Sequence, residues 1–191
     1  MNLFSLEIFL LLISTLVGIF AYLRYGFAVY QDRFSPNVIS RLSWGLLAST
    51  GAYLQYVSGA GLAVVATGLM ALGSFGLAYI AYIRNSRDIN KIDVFLFIIT
   101  LLLACFLFLP ISTLAITVLM TITSIIAFGP TIHSIFKKPS GESVEVFLLS
   151  GFKFLLAIPL IGTISINTAL YPISLIAMNL LVCVLILMRK S

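Results

Sequence analysis

A chain of 191 residues that is 61% hydrophobic and 9% charged cannot coat a water-facing surface, which in soluble domains carries about 25% charged residues. With a mean hydropathy of +1.18 it is expected to be an integral membrane protein. The net charge of +5 then reports orientation first, and nucleic acid is not an expected partner.

The first apolar run, 4–29, has no basic leading segment, carries Glu7 and lacks a small-x-small cleavage pattern, so it reads as a retained first helix. Six more runs follow at 38–57, 60–83, 92–109, 112–136, 144–162 and 166–188, each near the roughly 20 residues a spanning helix requires. The breaks between them are short: QDRFSPN, SG, RNSRDINK, LPI, KKPSGES and GTISIN. Charge sorts among them by alternation. Arg24, Asp32, Arg33 and Arg41 flank the first break, and Arg84, Arg87, Asp88, Lys91 and Asp93 the third. Lys137, Lys138, Glu142 and Glu145 flank the fifth, and Arg189 and Lys190 end the chain. The second, fourth and sixth breaks carry none. Seven spans with an outside N-terminus and a cytoplasmic C-terminus predict this pattern. Cys105 and Cys183 lie inside apolar runs without metal-ligand spacing, so no disulfide, metal or cofactor is expected from them.

The chain also carries an internal repeat. Laying Ala21 over Ala127 brings Tyr22 onto Phe128, Val29 onto Ile135, Tyr30 onto Phe136, Val38 onto Val144, Leu42 onto Leu148 and Gly45 onto Gly151. Each copy ends a helix on an aromatic, crosses a polar turn containing Ser and Pro, and re-enters the membrane. Residues 1–83 and 112–191 then form two three-helix repeats, with 84–111 as a linking helix 4. One intervening span gives both copies the same orientation, a parallel repeat whose substrate site is expected near the bilayer midplane between the copies.

A helix interrupted by proline, then a basic linker and PSGES before the next helix, as in GPTIHSIFKKPSGES, resembles the PQ-loop motif of the PQ-loop and SWEET superfamily. Pro130 is present, followed by Thr131 where the family has glutamine, and Arg24-Tyr25 stands at the matching place in the first copy. The resemblance implies a 3+1+3 arrangement of seven helices with the N-terminus out and the C-terminus in. It also implies transport by alternating access, a substrate-binding asparagine on the last helix, and a bacterial inner membrane.

Pro130 removes a backbone donor and crowds the preceding turn, which predicts a kink that serves either as a hinge for a cytoplasmic gate or as static packing. Lys153 is the most informative residue. It lies about 13 Å into its helix at 1.5 Å per residue, near the midplane, where ionisable side chains face a bundle interior or a cavity. It serves either a ligand or proton coupling, or it caps carbonyls and bridges waters. Asn179, in the middle of the last helix, is the asparagine the resemblance points to. It either binds substrate or makes an interhelical hydrogen bond worth about 0.6–2 kcal/mol. Its repeat partner is Gly73, which predicts a polar group on one side of the site and space on the other. Thr113, Thr117, Thr121 and Ser124 form a polar stripe that either lines a pathway or packs closely. Trp44 is either a belt anchor or a cavity wall, Tyr53 and Tyr56 read as the outer belt, and His133 as an interfacial side chain.

No Ser-His-Asp set, metal cluster or glycine-rich phosphate loop supports catalysis, so an enzyme is not expected. The reading is a transporter of a small polar metabolite (sugar, amino acid or organic acid). Lys153, Asn179, Trp44 and Ser124 would contact substrate and Pro130 would act as hinge. The partners are that substrate and the bilayer, with a homo-oligomer left open. The alternative is a ligand or peptide receptor, or a membrane scaffold, of the same fold.

Overall fold

The computed structural model describes residues 3–31, 37–84, 91–137 and 143–190, and the regular structure among them is helical. In chain order the helices are α1 Leu3–Tyr30, α2 Val38–Val57, α3 Val64–Ile83, α4 Lys91–Phe106, α5 Thr113–Ala127, α6 Gly129–Lys137, α7 Val144–Ala157 and α8 Ile166–Lys190. Asp32, Arg33, Arg87, Asp88, Lys138 and Glu142, which carry part of the charge alternation, lie outside the described residues.

Four segments are long and apolar enough to cross a membrane: Phe4–Tyr30, Val64–Ile83, Thr113–His133 and Ile166–Arg189. The other three expected spans fall short for local reasons. Helix α2 has the length but carries Arg41 and Gln55. Helix α4 ends at Phe106 because the chain turns ahead of Pro110, which disfavours helical backbone before it. Helix α7 gives way at Ala157 to a single 3-10 turn, Ile158–Leu160, where Pro159 has no N–H to continue the ladder. The fifth run, expected to kink at Pro130, is two helices meeting at Phe128, whose N–H donates to Ile125 O at 3.2 Å. Pro130 falls in the first turn of α6, where a missing N–H costs nothing.

Outward-facing positions carry large apolar side chains, among them Phe9, Leu12, Leu16 and Leu23 on α1 and Leu72 and Tyr79 on α3. Tyr53 and Tyr56 are exposed near the end of α2, and His133 is exposed on α6. The interior holds Leu47, Leu54, Met120, Phe154, Tyr171, Leu175 and Val182. Helix α3 lies against both α1 and α2, and α8 lies against α5, α6 and α7. Across the two sets α1 packs on α7 and α2 on α5, while α4 bridges α2 and α5. Two glycines let neighbouring helices approach closely. A Cβ on Gly45 would meet the Phe75 ring of α3 at 2.5 Å, and one on Gly151 would meet Asn179 Cβ of α8 at 3.3 Å.

The two ends of the bundle differ. At one end the charged groups make their contacts. Arg24 Nη2 pairs with Glu145 Oε2 at 2.7 Å, Arg84 donates to Tyr30 O, Asn37 Nδ2 donates to Asp93 Oδ2 at 3.0 Å, and Arg189 lies 4.4 Å over the Phe136 ring. Asn37 also starts α2, its Oδ1 accepting from Ile39 N and Ser40 N.

At the opposite end, two turns without charged residues are bonded to each other. Thr163 N donates to Gly59 O at 2.9 Å, Gly162 N donates to Ala60 O at 3.3 Å, and Gly61 and Ile161 form an isolated antiparallel bridge. The turn requires φ of +81° at Gly59 and +60° at Gly61, which glycine adopts without steric cost.

Beneath it, Pro172 inside α8 leaves Thr168 O without its helical donor. Gln55 Nε2 of α2 donates to that carbonyl at 3.3 Å, and Gln55 Oε1 accepts from Thr67 Oγ1 of α3 at 2.7 Å. Gln55→Leu leaves both groups unpaired in a buried place, a cost of about 1–3 kcal/mol. A lowered melting temperature of the purified protein in detergent is expected, and an unchanged one would remove this network from the stability of the closed end.

Candidate functional site

A cavity of about 90 Å³ opens between the two helix sets in the half of the bundle nearer the charged end. One water needs only about 10–15 Å³ by this measure, so the space admits more than solvent in single file. Its walls come from α1, α2 and α3 on one side and from α6, α7 and α8 on the other, with Phe128 at the α5–α6 junction.

Lys153 is the deepest charged group on the wall. It is 1% exposed, and its Nζ has no hydrogen-bond partner among the described residues. The ammonium lies 4.8 Å from the centroid of the Tyr22 ring and 4.7 Å from that of Phe154. Aromatic faces attract a cation by their quadrupole but accept no full hydrogen bond. The backbone around Lys153 is held by α1, where Ser14 Oγ donates to Lys153 O at 2.8 Å.

Tyr22 is positioned by α3. Its hydroxyl donates to Met70 O at 3.3 Å, and its ring fills the place a side chain at Gly73 would take, 2.5 Å from a Cβ built there. The expected space opposite Asn179 is therefore occupied by the aromatic ring on which Lys153 rests. Asn179 lines the cavity, is buried, and donates from Nδ2 to Leu175 O of its own helix at 2.7 Å.

Arg41, read from the sequence only as a marker of orientation, is a wall residue as well. Its Nη2 donates to Tyr25 Oη at 2.8 Å, its guanidinium stacks 4.8 Å over the Tyr25 ring, and its buried Nε has no partner among the described residues. The available signal was its place one turn inside a capped helix, too far in for a loop cation. Trp44, one turn further on, is a cavity wall, set edge-on to Phe128 at 5.0 Å and 72°. The hydroxyl residues Ser74, Thr131 and Ser150 complete the polar part.

Ser124 stands outside the cavity lining. It is buried, and its Oγ donates to Thr121 O at 2.7 Å, as Thr121 Oγ1 does to Thr117 O at 2.8 Å. Pro130 is not a lining residue either, although its neighbours Phe128 and Thr131 are. Among the described residues the walls contain two basic side chains and no carboxylate. Such a site can hold and orient a ligand. Comparison with family models, with curated proteins and with solved structures finds no match for the chain.

Proposed function

We propose that the protein carries a small polar metabolite across a membrane by alternating access, binding it in the cavity between two parallel three-helix repeats. The observation that carries this reading is a buried Lys153, on the wall of a cavity between the helix sets, whose Nζ makes no hydrogen bond among the described residues. The bonded turns at the opposite end add to it, since a cavity with one end closed is what one half of a transport cycle requires.

The repeat has its own support. Tyr22 and Phe128, Tyr25 and Thr131, Arg41 and Phe147, and Trp44 and Ser150 are repeat-related pairs, and both members of each line the cavity. The swapped contacts of α1 with α7 and α2 with α5 are those expected of a pseudo-two-fold axis through it. On this reading the chain spans seven times, with α5 and α6 as one broken span. The charged end is cytoplasmic and the membrane is a bacterial inner membrane, as in the PQ-loop and SWEET class that the sequence resembles. The α5–α6 junction next to Pro130 is the hinge.

The test is uptake by proteoliposomes offered labelled glucose, alanine, lactate and succinate. At least one probe is expected to enter faster than into protein-free vesicles. For that probe Lys153→Met should cut the rate about tenfold or more, since a hydrogen bond to a charged group contributes about 1.5–3 kcal/mol. No uptake above the vesicle background by any probe overturns the transport reading, and equal uptake by both proteins removes Lys153 from it.

A further inference from the structure

From the walls of this cavity we infer that its ligand is a small organic carboxylate, an assignment that rests on the cavity being the binding site of the transport reading. Three properties of the walls carry it. The first is charge: Arg41 and Lys153 both line the space, and no aspartate or glutamate does among the described residues. A sugar would leave the Lys153 ammonium buried beside a neutral molecule, and an amino acid would bring a second ammonium with no carboxylate to receive it. Both alternatives leave a buried amine that must either stand as an uncompensated cation or give up its proton, whereas a carboxylate keeps it charged and paired.

The second property is unmet hydrogen-bonding capacity. Lys153 Nζ has three donors and no acceptor among the described residues, and Arg41 Nε has one donor and none. Tyr22 and Phe154 cover the ammonium from the sides without accepting from it. A carboxylate supplies acceptors in charge-assisted bonds, which are about twice as strong as neutral ones.

The third is the limit on charge and size. Tyr25 takes one of the five Arg41 N–H donors through Nη2, which leaves the guanidinium fewer donors for a multiply charged anion such as phosphate. With one deep ammonium, a partly committed guanidinium and about 90 Å³ between Trp44 and Ser150, the site suits a short acid carrying a hydroxyl or keto group. The serine hydroxyls and Asn179 can bond that group.

Trp44 is the chain's one tryptophan and lies on the cavity wall, so its fluorescence reports occupancy directly. The full-length protein in nanodiscs is titrated with lactate, succinate, glucose, alanine and inorganic phosphate at constant ionic strength. Lactate or succinate is expected to change the Trp44 emission saturably, and the other three probes to bind at least tenfold more weakly. Lys153→Met and Arg41→Gln should each weaken the carboxylate at least tenfold, and Lys153→Arg should recover part of the loss. If Lys153→Met does not elute as a folded monodisperse species, Arg41→Gln decides by itself.

Glucose, alanine or phosphate binding as tightly as the carboxylates overturns the assignment. So does a titration in which neither carboxylate saturates, or one in which the neutralised variants keep full affinity. The titration needs no flux. Carboxylate binding without uptake would sink transport and leave the ligand class standing, whereas uptake of glucose without carboxylate binding would do the reverse.

Discussion

Cysteines at Gly59 and Thr163 are expected to stop transport when oxidised and to release it on reduction. The two positions belong to the turns that bond to each other at the end opposite the charged contacts. A Cβ built on Gly59 lies 3.4 Å from Thr163 Cβ, at the short edge of the roughly 3.5–4.5 Å separation a disulfide spans. The cross-link should therefore form with little movement of the backbone. Cysteine at Gly59 must adopt a φ of +81°, a strain of about 1–3 kcal/mol that a turn held by two backbone hydrogen bonds can carry. The experiment uses a background without Cys105, which is exposed, and Cys183, which is buried. Uptake of the probe that the wild type carries should fall to the protein-free level with oxidant and recover with dithiothreitol, while Trp44 titration in nanodiscs still reports binding from the charged end. That combination separates a blocked exit from a damaged site. Uptake that persists in protein shown by thiol labelling to be cross-linked would mean that these turns need not part, and the closed end would then not be a gate.

The charge alternation was legible in the sequence, and the described parts of it hold together in space. Arg24 meets Glu145, Arg84 meets Tyr30 and Arg189 meets Phe136, each contact joining segments that the alternation had assigned to one side. Lys153 and Asn179 were legible for a related reason: an ammonium or a carboxamide at mid-helix depth is too costly to leave facing lipid, so its burial is nearly forced. Helix lengths were less legible. Pro110 and Pro159 shorten α4 and α7 from outside the helices, and hydropathy windows do not register a missing N–H. Ser124 shows where residue type carries little positional information. A serine in a helix can bond a carbonyl of its own preceding turn, so it is satisfied on either face, and nothing obliges it to find the cavity. Tyr22 and Arg41 were missed because each had a sufficient local account, one as a repeat match and the other as a topology marker. Their meaning depends on α3 and α1 respectively, which no periodicity in their own helices encodes.

Gly73 makes the same dependence testable. Valine there is expected to abolish high-affinity binding although residue 73 is not itself on the cavity wall. Its first added carbon would fall 2.5 Å from the Tyr22 ring, closer than any real contact, so the ring must leave its place. Displacement breaks the bond from Tyr22 Oη to Met70 O and removes the aromatic face 4.8 Å from Lys153 Nζ. Overpacking of this kind costs about 1–3 kcal/mol in stability. Loss of a desolvated cation–π contact costs about 2 kcal/mol more, now at the site itself. Stability and binding should therefore fall together in Gly73→Val. Adding Tyr22→Ala makes room for the valine, and the double variant should regain most of its melting temperature without regaining carboxylate affinity, because the ring that positions the ammonium is gone. Should affinity return along with stability, Tyr22 would be a packing residue only, and Lys153 would find its orientation without it. Should Gly73→Val bind as well as wild type, the ring would have room to shift while still facing Lys153, and the close approach of α1 to α3 would have no bearing on the ligand.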